Sequence, residues 1–120
     1  MRIAVSSQGI ELTSKVDPRF GRAQCFLVFD TSDESLEVVN NDQNVSAAQG
    51  AGIQAAENVA KKNVDIVVSG NFGPKAFRAL GAAGVKAALW AEGTVSEAIE
   101  LARNDKLTIC DKANVEGHWM

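Results

Sequence analysis

One histidine, two cysteines and no tyrosine leave this 120-residue chain poor in the side chains that most often ligate metals or carry protons. Cys25 and Cys110 stand far apart, with no CxxC pair and no Cys/His cluster, which argues against a closed zinc site or a disulfide framework. Any bound metal would have to be held mostly by other groups. His118 stands close to the carboxyl terminus, where fraying is expected and a fixed general base is poorly placed. There is no GxSxG elbow, no GxxxxGK loop and no HExxH helix, and Gly50-Ala51-Gly52 is too little for a dinucleotide fingerprint. A basic excess is missing too: a net charge of -3 argues against general nucleic-acid binding. No apolar run is long enough to span a bilayer, and Met1 to Val5 stops at Ser6-Ser7, too early for a signal-peptide core, so the expected address is the cytoplasm.

What is present is an ordinary soluble composition, 46% apolar and 22% charged, which suits one domain over residues 1–110 followed by a polar tail at 111–120. Residues 2–6, 24–30 and 36–40 read as strands, the last two joined by the polar turn Thr31-Ser32-Asp33-Glu34. From 52 to 62 the period becomes helical, with Ile53, Ala56, Val59 and Ala60 on one face. The β-branched run 64–69 predicts a strand buried on both faces. A helix with Ala76, Phe77, Leu80 and Ala83 inward, a strand over 85–90, and a helix over 94–103 with Val95, Ala98, Ile99 and Ala102 inward complete the pattern. The order βββαβαβα, with right-handed crossovers, predicts an α/β fold with a mixed five-stranded sheet, order 3-2-1-4-5 and strand 2 antiparallel. The carboxyl ends of strands 1, 3, 4 and 5 and the amino ends of all three helices then share one edge.

The site is expected on that edge. Ser6-Ser7 with the loop through Arg22, Gln49 to Gly52, Gly70-Asn71-Phe72-Gly73-Pro74 and Gly93-Thr94 all turn there. Glycines permit left-handed dihedrals and close approach, and helix amino ends present unpaired N–H donors, each worth about 0.3–1 kcal/mol to an anion. Several donors plus a guanidinium are needed, and Arg19, Arg22 and Lys75 are the candidate cations. Plainer readings compete. Pro74 after Gly73 is an ordinary helix start, and Thr94 with Glu97 has the form of a capping box. Cys25 lies beside the arginine loop, which would lower its pKa if it faced outward; as a small buried hydrophobe it has the commoner role. The sheet order also suits ribonuclease-H-like nucleases, but Ser6 and Ser69 stand where two-metal chemistry needs carboxylates.

The stretch Val16-Asp17-Pro18-Arg19-Phe20-Gly21-Arg22-Ala23, followed by Phe26, resembles the signature of the dinitrogenase iron-molybdenum cofactor biosynthesis family. The resemblance continues through Gly50-Ala51-Gly52, the Val64 to Gly73 segment, Gly84-Val85 and Gly93-Thr94-Val95. That family includes NifX-type cofactor carriers, the carboxy-terminal part of NifB proteins, and the orange protein that holds a molybdenum-copper sulfide cluster; this chain is most similar to the small stand-alone members. The resemblance implies a ribonuclease-H-like fold and a carrier, not an enzyme, for an anionic metal-sulfide cluster of iron-sulfur or molybdenum-containing type. The expected cradle is Ser7, Arg19, Phe20, Gly21, Arg22, Gly50, Gly52, Gly70, Asn71 and Gly73, with Cys25 as the candidate metal ligand. Cluster-assembly proteins are the implied partners of a monomer that binds neither nucleic acid nor membrane. Arg19 occupies the place of a histidine found in nitrogenase-accessory members; arginine pairs with sulfide or oxoanion charge but does not coordinate metal as imidazole does. Phe72 likewise offers no ligand. Two other functions fit the residues: a metal-free interaction or regulatory module, and an enzyme acting on a small phosphorylated compound, for which no base is evident.

Overall fold

The computed structural model describes residues 1–41 and 50–111. Gln49, His118 and the tail beyond residue 111 lie outside them. The chain runs β1 (Arg2–Ser7), β2 (Cys25–Asp30), β3 (Ser35–Asn40), α1 (Ala51–Ala60), β4 (Ile66–Ser69), α2 (Pro74–Ala82), β5 (Lys86–Leu89) and α3 (Val95–Arg103). The five strands are ordered β3-β2-β1-β4-β5, with β2 antiparallel to both neighbours and β4 parallel to β1 and β5. The fold is the one predicted.

Side chains alternate across this sheet and so divide the core. Ala4, Phe26, Val28 and Val67 face α1 and α2, whereas Ile3, Val5, Leu27 and Val68 face α3. Residues 66–69 of β4 are buried throughout, because helices cover both faces of this strand. At the β3 edge the alternation is plain: Val39 is buried while Leu36 and Val38 are exposed.

Two helix faces differ from expectation. α1 buries Ala51, Ala55, Ala56 and Val59, whereas Ile53 is exposed. The stripe is turned toward small residues because α1 packs closely on α2, where a methyl at Gly52 would sit 3.1 Å from Ala76 Cβ. In α2, Ala83 is the exposed C-cap and Gly84 follows in the left-handed region (φ 77°), so the inward stripe is Ala76 and Leu80, with Phe77 half-buried. An unexpected segment follows α3. Ile109 bridges Ala88, and the Cys110 N–H donates to the Ala87 carbonyl (2.7 Å), so these residues shield the outer edge of β5.

Charge is separated along β2. At its far end Arg2 pairs with Asp30 and Glu37, and Lys62 joins Glu37, which neutralises part of an acidic stretch formed by Asp30, Asp33, Glu34 and Glu37. The arginine loop precedes the opposite end, roughly 17 Å away at the rise of an extended strand.

Candidate functional site

The loop between β1 and β2 is laced across the carboxyl ends of β1, β4 and β5. Ser7 bridges Val16, Lys15 bridges Thr94, and Arg19 bridges Asn71. The Asp17 N–H donates to the Ser6 carbonyl (2.8 Å). The Ser6 hydroxyl lies 2.6 Å from the Asp17 carbonyl and 2.8 Å from the Ser69 hydroxyl, which lies 3.2 Å from the same carbonyl. All of these groups are buried, so the serines at the nuclease-carboxylate positions serve as pins for the loop. The pinning is reinforced at Gly70, where a methyl would meet Pro18 Cα at 2.7 Å.

Phe20, expected at the ligand, is a core residue. Its ring is 2% exposed, 5.2 Å from Phe26 and 5.1 Å from Phe72. It anchors the loop and turns its neighbours Arg19 and Arg22 toward the surface and the half-buried zone. Gly21 is buried against α1: a methyl there would lie 3.1 Å from Gly52 Cα. The glycines at 21, 52 and 70 therefore let the chain approach itself. Asn41, not foreseen, carries the other side of the loop. Its amide donates to the Ala23 carbonyl (2.7 Å), its N–H donates to Gln24 (2.9 Å), and Asn58 of α1 donates to its side-chain oxygen (2.8 Å).

The helix amino ends are not equivalent. At α3, Thr94 and Glu97 form the capping box, while the Val95 and Ser96 N–H groups donate to the Ser14 and Leu12 carbonyls (2.9 Å each). This end is already occupied by the chain, so it is withdrawn from the expected set of anion donors. α1 and α2 begin at Gly50 (φ 79°) and Gly73 with no side-chain cap, and Pro74 opens α2. Lys75 is exposed there.

Ser7 and Cys25 also point into the protein. The Ser7 hydroxyl turns back on Gly9, donating to its carbonyl (2.5 Å) and accepting from its N–H (3.2 Å). Cys25 is buried with Sγ 3.2 Å from the Gly9 carbonyl. Burial pushes its thiol pKa up, with a smaller opposing effect from Ser7 and a further rise from the Asp17 charge. Held against Gly9 inside the protein, the thiol is not among the groups that line the cavity beside Arg19. Among the described residues no three His, Cys, Asp or Glu side chains gather as a metal site.

Among the described residues, Gln8, Asp17, Pro18, Arg19 and Gln24 line a cavity of about 390 Å³. The Arg19 side chain is 58% exposed, with Nε 3.5 Å from Asp17 Oδ1, and Asn71 is half-buried beside it. Gln8 and Asp17 lie in the loop expected at the site but, like Gln24, are not among the expected cradle residues. The one available signal was Asp17-Pro18, a turn-forming pair ahead of the arginine.

Residues 1–105 match the family described as dinitrogenase iron-molybdenum cofactor. The chain belongs to this family. Two solved structures place it further. It is similar to the apo form of the orange protein from Desulfovibrio gigas, at 38% identity and TM-score 0.92 over 95% of this chain and 96% of the other. It is also similar to a NifB-like protein from Thermotoga, at 36% identity and TM-score 0.84 over 97% and 98% of the two chains. No curated protein gives a significant match. Family membership agrees with a role connected to cofactor clusters, and the five-stranded fold is shared with the neighbours.

Proposed function

We propose that this protein carries a preformed anionic metal-sulfide cluster, iron-sulfur or molybdenum-containing, in cluster assembly or storage, and that it is a binding protein without catalytic activity of its own. The observation that carries the reading is the exposed Arg19 at the mouth of the cavity, on the sheet edge where α1 and α2 start without side-chain caps. Arg22 adds charge on the same loop, and the amino ends of α1 after Gly50 and of α2 after Gly73, which lack side-chain caps, add backbone donors. The cargo brings its own sulfide ligands, so the protein needs to supply only charge, N–H donors and shape. Similarity to the orange protein along nearly the whole chain supports this assignment. The proposed setting is a cytoplasmic monomer that exchanges cargo with cluster-assembly proteins. Among the described residues no helix is long and apolar enough to cross a membrane.

Reconstitution tests the proposal. Anaerobic incubation with thiomolybdate and copper, or with iron and sulfide, is expected to give stoichiometric visible absorption. Arg19→Ala and Arg22→Ala are each expected to weaken retention roughly tenfold, the scale of one charge-assisted contact. A protein that stays colourless after both reconstitutions overturns the proposal.

A further inference from the structure

Arg19 is not waiting unpartnered for its anion. Asp17 already faces it. The carboxylate Oδ1 accepts the Arg19 backbone N–H (2.9 Å) and stands 3.5 Å from the Arg19 guanidinium Nε. The two side chains differ sharply in freedom. Asp17 is 6% exposed at its side chain, and its backbone is held at both N–H and carbonyl by Ser6 and Ser69 on the two central strands. Arg19 is 58% exposed on a flexible stem. The carboxylate is therefore fixed, and the guanidinium is the partner that moves.

We propose that Asp17 is a built-in counter-ion for Arg19, which an incoming anionic cargo must displace, and that this competition tunes the site toward release. The inference rests on the carrier reading given above. An anion reaching the cavity lined by Asp17, Arg19, Gln8 and Gln24 meets both charges of the pair. It gains the Arg19 contact only by sharing or removing the guanidinium from Asp17, and it feels the buried negative charge throughout. When the guanidinium leaves, Asp17 keeps its hydrogen bond from the Arg19 N–H, so the carboxylate is not stranded and the exchange is reversible. A carrier that must hand on its cargo benefits from such an internal competitor, since binding and release then differ by the motion of one exposed side chain.

Asp17→Asn separates the two roles of the carboxylate. Asparagine keeps an oxygen for the Arg19 N–H and so preserves the turn, but it removes the charge. With tetrathiomolybdate as probe at low salt, Asp17→Asn is expected to bind roughly fivefold tighter than the parent and to release more slowly, the scale of one partly exposed ion pair. Asp17→Asn combined with Arg19→Gln should show no gain over Arg19→Gln alone, because the benefit passes through Arg19. Unchanged or weaker binding in a variant with parental thermal stability overturns the proposal, as does a gain that persists without Arg19. Asp17→Ser, whose hydroxyl accepts the same N–H, repeats the measurement if the asparagine variant misfolds. Inorganic phosphate separates the two readings. If neither protein takes up tetrathiomolybdate but Asp17→Asn gains phosphate affinity through Arg19, the counter-ion stands and the cluster reading falls. If tetrathiomolybdate binds the parent through Arg19 and Asp17→Asn gives no gain, the counter-ion falls and the cluster reading stands.

Discussion

At the scale of single residues, the site loop contains two kinds of side chain that look alike in a motif. Phe20 and Arg19 are adjacent, yet the ring is packed between Phe26 and Phe72 while the guanidinium reaches solvent. Cys25 belongs with Phe20. Its burial and raised pKa predict slow chemistry: in the native protein at pH 8, iodoacetamide is expected to modify Cys25 at least roughly tenfold more slowly than in the urea-unfolded chain. Peptide mapping by mass spectrometry reads this directly, and native labelling at the unfolded rate would contradict the buried assignment. The shift also has a stability sign. The raised thiol pKa favours the native state while the thiol is neutral, and that advantage declines once pH rises above the ordinary cysteine value, where only the unfolded chain ionises freely.

Elements explain why three helix starts at one edge are not three anion sites. The loop before Val16 lies over the first turn of α3 and takes two of its N–H groups, and Thr94 takes a third. Thr94→Ala is expected to cost about 1 kcal/mol in urea denaturation while leaving retention of the proposed cluster within about twofold, since the N–H groups of that helix end are already taken by the chain. Glu97 gives the cap a pH signature. The Thr94 backbone N–H, and secondarily its hydroxyl, hold the Glu97 carboxyl below its ordinary value. Its contribution is therefore complete above the ordinary carboxylate range and is lost as pH falls through the depressed native value, so Glu97→Gln should flatten that part of the acid limb. The Thr94-x-x-Glu97 spacing made this cap readable in advance. The face of α1 was not readable in the same way. Ile53 is the bulkiest apolar residue of that helix, but Gly52 and the alanines permit the close approach to α2, and proximity decided which face turned inward.

Over the whole molecule, an overall charge of -3 coexists with a basic loop at one end of β2 and an acidic stretch at the other. Local potential at the cavity, and not the sum, governs an approaching anion. Retention of the reconstituted cluster is thus expected to weaken several-fold between low ionic strength and about 0.5 M salt, where the Debye length falls to a few ångströms. Retention independent of salt, followed by desalting and visible absorption, would point to ligation by a side chain.

The strand order could be read from the chain because it depends on signals carried within short segments: apolar runs and a polar turn in β1 to β3, a doubly buried run in β4, helical stripes between the later strands, and the handedness of crossovers. The Arg-Phe-Gly-Arg loop could be placed on the right edge for the same reason. Tertiary structure alone decided how that edge is used. Pro18 closes on Gly70, Gly21 closes on Gly52, the loop before Val16 occupies the α3 start, and Asp17 sits fixed against Arg19. Each of these facts joins segments distant in sequence, and steric fit or hydrogen bonding between such segments leaves no periodic trace in either one.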